Sequence, residues 1–366
     1  MNYFDHNATT PIAPEVLAVL QQVQTECFGN PSSMHALGQR ARQEVEKARA
    51  QVAALLGCGP KEVVFTSGGT EADNLAVFGA PAGHVITSAI EHPAVLNSVQ
   101  ERGNFSLLPV NRDGLVAPDE LRAALRPDTV LVSVMHANNE TGVIQPVAEL
   151  AAIAHEAGAL FHSDGVQAAG RIPVDVAALG VDLYSIAGHK FNAPKGVGAL
   201  FVKEGVKLAQ RQFGGRHERE RRAGTENVPG IAALGAAAAL PRPDTQALRD
   251  RLEALVLARI PETRVHGAGA PRTPNTSNIS FAGLAADALV IALDLAGFAV
   301  ATGAACSSGA TRPSPILTAM GVPADEAKAS IRFSVGRGNT PHQVDALVTA
   351  LEAAVARLRK LSPAHA

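Results

Sequence analysis

Across residues 62–202 short apolar runs alternate with helix-like stretches, and no other feature of the chain restricts its fold as strongly. Alternation of this kind builds strand–helix–strand units around a mainly parallel sheet, an α/β fold. Seven runs read as strands: 62–66, 84–88, 105–108, 129–135, 160–163, 183–186 and 198–202. Between them, Pro93, Pro118-Asp119-Glu120 and Pro146 mark helix starts, because proline and acidic residues suit a first helical turn. Ahead of this block Leu37, Ala41, Val45, Ala48, Val52 and Leu55 recur every three or four residues and predict one long amphipathic helix ending at Gly57. Its apolar stripe is read as core.

The segment Leu240-Pro241-Arg242-Pro243-Asp244 breaks the pattern. A connecting helix over 245–259 then leads into a second unit, with strands at 275–281 and 330–335 and helices at 285–295 and 343–358. The expected organisation is a large domain, residues 15–244, with the seven-stranded sheet flanked by helices, and a smaller α+β domain made of residues 1–14 plus 245–366. With 366 residues, 46% of them apolar, the chain can bury a core in each. A formal net charge of −2 with no basic cluster gives no reason to expect nucleic acid or an anionic membrane as partner. The first residues lack the basic start and apolar run of a signal peptide, and no stretch is apolar enough to span a bilayer, so a cytoplasmic location is expected. Cys27, Cys58 and Cys306 make an odd count without a CxxC pair, which argues against a disulfide framework or structural zinc.

Residues able to do chemistry gather where the apolar runs end. Ser67-Gly68-Gly69-Thr70 lies between a strand and a helix, where backbone N–H groups and the helix start form a cup for phosphate. Alone, such a turn is more often structural. Asp164 closes another run, and Gly188-His189-Lys190 follows some residues later. A carboxylate at a strand end can keep a pyridine nitrogen protonated, and a partly desolvated lysine can form an imine with an aldehyde, so the pair fits a pyridoxal cofactor. Ile90-Glu91-His92-Pro93 sets an imidazole at a strand-to-helix junction, to stack on a ring or simply to cap the helix. His136-Ala137-Asn138-Asn139-Glu140 follows a very apolar run and places amides where open α/β sheets bind ligands. Thr302-Gly303-Ala304-Ala305-Cys306-Ser307-Ser308-Gly309 surrounds a thiol with small residues, the composition of an exposed loop, while Cys27 and Cys58 read as packing residues. Arg332 falls inside an apolar strand and needs a partner, either a substrate carboxylate or a structural acid.

Together these motifs resemble the cysteine desulfurases of the nitrogen-fixation and housekeeping iron–sulfur type, within the fold-type-I pyridoxal-phosphate enzymes. The likeness begins at Tyr3-Phe4-Asp5-His6-Asn7-Ala8-Thr9-Thr10-Pro11 and Gly29-Asn30-Pro31-Ser32-Ser33. It includes Gly214-Gly215-Arg216-His217-Glu218-Arg219 with Arg222-Ala223-Gly224-Thr225-Glu226-Asn227, and runs on to the loop around Cys306. The resemblance implies pyridoxal 5′-phosphate as cofactor, L-cysteine as substrate, L-alanine as product, and a persulfide on Cys306 delivered to a sulfur acceptor or iron–sulfur scaffold protein. It implies Lys190 as the imine lysine, Asp164 as partner of the pyridine nitrogen, His92 as the ring-stacking and proton-transfer residue, and Asn139 and Gln167 as ring contacts. Gly69, Thr70 and His189 would hold the phosphate, joined by the partner subunit's Thr225 in a homodimer. Arg332 would take the substrate carboxylate, with Asn7 and Asn30 lining the pocket. No metal site is expected beyond Cys306 as a transient iron–sulfur ligand. Where the family commonly has serine three residues before the imine lysine this chain has Ala187, so one phosphate contact is expected to be missing; Thr311-Arg312 replaces the frequent Leu-Glu after the loop. An aminotransferase or selenocysteine lyase of the same fold, and an inactive assembly subunit, stay open as alternatives.

Overall fold

The computed structural model describes residues 1–303 and 313–361. Its strands are β1 (Asn2–Tyr3), β2 (Val63–Thr66), β3 (His84–Ser88), β4 (Phe105–Leu108), β5 (Thr129–Ser133), β6 (Leu160–Asp164), β7 (Leu183–Ala187), β8 (Gly198–Val202), β9 (Thr263–Val265), β10 (Thr276–Phe281), β11 (Phe298–Ala299), β12 (Ala301–Thr302) and β13 (Ser330–Ser334). The central sheet has seven strands in the order β2-β8-β7-β6-β5-β3-β4. Pairs β3·β4, β3·β5, β5·β6 and β6·β7 are parallel, whereas β8 runs antiparallel to both β7 and β2. Six of the seven strands therefore point the same way. The sheet is buried on both faces: Phe65, Ile86, Val132, Phe161 and Ile186 enter one core, and Val64, Val85, Leu131, Leu183 and Leu200 the other. Double-sided burial explains why these strands read as continuous apolar runs.

The expected strand over 129–135 stops at Ser133, because the Met135 N–H leaves the sheet to donate to Glu91 Oε1 at 2.9 Å. The long helix is present as Ala36–Leu56, closed by Gly57 in the left-handed conformation, φ 70°. A further helix, Val228–Ala238, carries no periodic stripe because nine of its eleven residues are buried, and a helix apolar all round leaves no polar face to read. Near the C-terminus β12-β13-β10-β9 form an antiparallel sheet. Helices Gln246–Arg259, Ala286–Leu295 and Pro341–Leu361 pack on it through Leu252, Leu289, Leu293, Leu347 and Leu351. Phe4, just after β1, enters this same core, and β1 pairs with β11.

One buried ion pair ties a distant loop to the central sheet. Arg49 donates through Nη1 and Nη2 to the two Glu218 carboxylate oxygens, each at 2.8 Å, and Glu218 also accepts the Phe65 N–H at 2.9 Å. Their side chains are 4% and 2% exposed. Glu218, Arg219 and Glu220 all sit at positive φ, a conformation unfavourable for non-glycine residues that this anchoring holds in place. Glu218→Ala removes the buried counter-charge and leaves the guanidinium only the half-exposed Glu46, which accepts from Nε at 3.2 Å, so stability is expected to fall by ~3 kcal/mol in a denaturant titration. A loss below ~1 kcal/mol would show that water or another acid replaces Glu218.

Candidate active site

Because β2, β3, β5, β6 and β7 run in one direction, their C-terminal ends share one edge, and the turns that follow them meet there. Open α/β sheets bind ligands at this edge. A cavity of about 580 Å³ opens at it, lined by Asn7, Gly69, Thr70, Asp73, Glu91, His92, Asn139, Glu140, Asp164, Gln167, Ala187, His189, Lys190, Gly303 and Arg332 among others.

After β2 the helix Gly69–Gly79 begins at once, so its first-turn N–H groups face the cavity beside Thr70. A side chain at Gly69 would put its Cβ 2.8 Å from Val166 Cγ2, so glycine lets this turn approach the turn that follows β6. The turn is braced from outside: Glu71 accepts the Ser67 N–H at 2.7 Å and the Arg222 Nε–H at 2.8 Å. After β3, His92 caps the helix Pro93–Arg102, with Nδ1 accepting the Ala94 N–H at 3.1 Å. The capping and pocket readings of His92 are thus compatible, since capping occupies Nδ1 and leaves Nε2. Burial holds this imidazole below its ordinary value.

At the end of β6, Asp164 is buried and accepts the Val166 N–H at 2.9 Å. Burial raises its carboxyl, and His92 and Lys190 pull it back. Three further acids line the cavity that the sequence did not single out: Asp73 from the helix after the glycine turn, Glu91 from the turn before His92, and Glu140 next to Asn139. Burial pushes Glu91 up to about 8. Burial, then the nearby Asp164, push Asp73 well above the usual carboxylate range, which disfavours full charge on all of these acids at once. The only hint in the sequence was an acid beside each motif, which helix surfaces supply routinely.

After β7 a single turn, Gly188–Lys190, carries His189 and Lys190. Lys190 Nζ donates to the carbonyls of Asn7 at 2.6 Å and Ala8 at 3.0 Å. Burial, then the cations Arg171 and Arg332, lower its ammonium to about 8. His189 Nδ1 lies 3.2 Å from Thr9 Oγ1, and burial lowers the ring to about 4, leaving it neutral. Arg332 reaches in from β13 with its charge already answered, Nη2 donating to Asp5 Oδ1 at 2.7 Å and Nη1 to the Asn139 carbonyl at 3.1 Å. The structural acid that the sequence left open is therefore Asp5, while Arg332 Nε is buried without a partner among the described residues.

Of the expected site residues, the fold brings Gly69, Thr70, His92, Asn139, Asp164, Gln167, His189, Lys190, Arg332 and Asn7 to one cavity. Asn7 is held by Nδ2 donating to Thr276 Oγ1 at 2.9 Å and by Oδ1 accepting from Asn275 at 2.9 Å. Asn30 is exposed, its Oδ1 accepts the Ser32 N–H at 2.9 Å, and it does not line this chain's cavity. Thr225 is also exposed and outside the cavity. Cys306 and Thr311-Arg312 lie outside the described residues.

The donor set suits a flat, phosphorylated heterocycle. Asn139 Oδ1 is buried with no partner among the described residues, Asp164 offers a carboxylate deep in the cavity, and the glycine turn offers N–H groups at its edge. Ala187 lines the cavity and brings no hydroxyl. The profile of the class-V aminotransferases matches residues 2–347. Over 378 aligned residues the chain is 45% identical to a protein named cysteine desulfurase from Trichormus azollae, covering 99% of this chain and 94% of that one. A solved NifS-like protein from Rickettsia africae ESF-5 superposes with a TM-score of 0.89 at 36% identity, covering 97% of this chain and 99% of the other. A structure described as SspA in complex with cysteine superposes with a TM-score of 0.84 at 31% identity, covering 93% and 100% of the two chains. Matched across nearly its whole length, the chain belongs to the class-V aminotransferase family, whose members work with pyridoxal phosphate.

Proposed function

We propose that this protein is a cysteine desulfurase that removes sulfur from L-cysteine, releases L-alanine and leaves a persulfide on Cys306 for delivery to an acceptor. The observation that carries the reading is the meeting of Lys190, Asp164, His92, Asn139, Gln167 and Arg332 at one cavity, in a chain whose full-length relatives include one named cysteine desulfurase. Bound pyridoxal phosphate supplies an electron sink for charge developing on the substrate. Lys190 would hold it through Nζ and, once released, move a proton at the substrate's α-carbon. Asp164 would keep the pyridine nitrogen protonated, Asn139 and Gln167 would contact the ring's polar atoms, and His92 would lie against its face. Gly69, Thr70 and His189 would hold the phosphate together with the partner subunit's Thr225. Arg332, whose Nε has no partner among the described residues, would bind the substrate carboxylate, and Asn7 would shape the pocket.

The Cys306 thiolate would attack the sulfur of bound cysteine. The substrate's C–S bond then breaks, its electron pair stays with the carbon skeleton, and protonation of that carbon yields alanine. The sulfur remains on Cys306 as a persulfide. The acceptor would be a protein of the iron–sulfur cluster assembly type or another sulfur carrier. A homodimer belongs to this reading, since Thr225 is exposed outside its own chain's cavity, as is a cytoplasmic location. No helix among the described residues is long and apolar enough to cross a membrane. Also proposed is the division into a large domain, 15–244, and a smaller one, 1–14 with 245–366; the two separate sheets and the packing of Phe4 with the C-terminal helices support it.

The test is a single turnover of the cofactor-loaded protein with L-cysteine and no reductant. Alanine and protein-bound sulfur are expected in equal amounts. Alanine without bound sulfur, or faster turnover of selenocysteine or of ordinary amino donors, would replace the proposal with the lyase or aminotransferase reading.

A further inference from the structure

Beside Lys190 lies a charged side chain with no part in the chemistry proposed for Cys306 and the cofactor. Arg171 follows the strand end that carries Asp164 and Gln167, and it is 8% exposed. Its donors go to neutral oxygens: Nη2 to the His6 carbonyl at 3.0 Å and the Lys190 carbonyl at 3.4 Å, and Nη1 to the Gln167 carbonyl at 3.3 Å and to Gln167 Oε1. No carboxylate among the described residues pairs with it. A buried guanidinium ordinarily has a counter-ion, since desolvating an unpaired charge is expensive.

Four charged groups face Lys190: Arg171 and Arg332 are the cations, and Asp164 and Asp5 the anions. Asp5 is taken by Arg332 at 2.7 Å, and Asp164 is the acid reserved for the cofactor's ring nitrogen in the proposed function. His6 and His189 are both lowered to about 4, chiefly by burial, and His92 is also lowered by burial, so the surrounding imidazoles add little charge at neutral pH. Lys195 faces His189 from the following turn. What remains unanswered is the positive charge of Arg171.

We infer that Arg171 is a positioning residue whose unpaired positive charge, beside the carbonyl of Lys190, favours the neutral, nucleophilic amine of that lysine over its ammonium, while its carbonyl contacts fix the backbone of Lys190 and His6 and the side chain of Gln167. The Asn7 and Ala8 carbonyls that accept from Nζ favour the ammonium, and Arg171 works against them. Burial lowers Arg171 itself only to about 9, so it is charged at neutral pH. An unpaired cation would thus be retained because it acts on the neighbouring amine, whereas the field of a paired one, such as Arg332 with Asp5, is partly offset by its partner. The inference rests on Lys190 being the cofactor-bearing lysine, but its test does not.

The test follows trace acylation of the Lys190 amine against pH in the full-length, cofactor-free protein, read by peptide mass spectrometry, for wild type, Arg171→Lys, Arg171→Gln and Arg171→Met. Loss of the charge in the Gln and Met variants is expected to raise the Lys190 midpoint by about one pH unit, which slows its labelling ~10-fold at neutral pH. Arg171→Lys keeps the charge and is expected to keep the wild-type midpoint. A wild-type midpoint at the ordinary lysine value, an unchanged midpoint in either neutral variant, or a midpoint raised in Arg171→Lys overturns the inference. Wild type and Arg171→Lys still test it if the neutral variants do not fold. Adding pyridoxal phosphate to each protein separates the two readings: if no visible band forms on wild type while the midpoint shifts stand, the cofactor assignment fails and the role of Arg171 survives.

Discussion

Lys190→Ala is expected to abolish the visible absorbance band of the cofactor-loaded protein and to lower alanine release from cysteine by roughly three orders of magnitude or more. The turn Gly188–Lys190 that closes β7 aims the side chain into the cavity, and nothing else there can replace it. Among the described cavity residues Lys190 is the only primary amine, and Arg332 is a guanidinium bound to Asp5. With its ammonium lowered to about 8, a substantial fraction of Lys190 is the free amine just above neutrality, and that fraction falls as the pH drops. Cofactor loading should therefore slow on the acid side of this value. Lys190→Arg, which keeps the positive charge but not an amine able to add to an aldehyde, should behave like the alanine variant. Spectra and alanine assays on both variants provide the measurement. A Lys190→Ala protein that still turned yellow with pyridoxal phosphate and still released alanine would show that the covalent partner lies elsewhere.

Cys306→Ser should separate two functions that Lys190→Ala removes together. The cofactor band is expected to stay, because Lys190, Asp164 and the glycine turn are untouched, whereas protein-bound sulfur should disappear and alanine release should drop by ~100-fold or more. Serine matches the size of cysteine, but its hydroxyl is hardly ionised near neutrality and cannot carry a persulfide. The described cysteines offer no substitute. Cys27 is buried at 5% exposure, and burial pushes the Cys58 thiol up to about 12, far from its reactive thiolate. On one side of Cys306, Gly303 lines the cavity; on the other, Ser314 Oγ donates to Glu140 Oε2 at 2.6 Å, and Glu140 lines it too. The two described flanks thus converge on one buried carboxyl at the cavity wall. Retention of bound sulfur in Cys306→Ser would assign the persulfide to another residue.

The parallel sheet, the long helix ending at Gly57, the glycine turn, and the positions of Asp164 and Lys190 at strand ends were legible because each rests on neighbours in the chain: apolar period, a left-handed glycine, a helix start. That these turns meet was also legible, given one strand direction. The antiparallel direction of β8, and the early end of β5 at Ser133, were not, since each depends on a bond to a segment far away in sequence, such as Met135 N–H to Glu91. Arg332 read equally well as a substrate or a structural arginine until Asp5, 327 residues away, stood at 2.7 Å. Arg171 carried no motif at all, and Asp73 and Glu91 looked like ordinary acids beside motifs. By itself, then, the sequence determined which residues could carry the chemistry and on which turns they sit. Only the tertiary structure decided their charges, because burial and the distance between remote charged groups set a side chain's protonation, and neither is a local property of the chain.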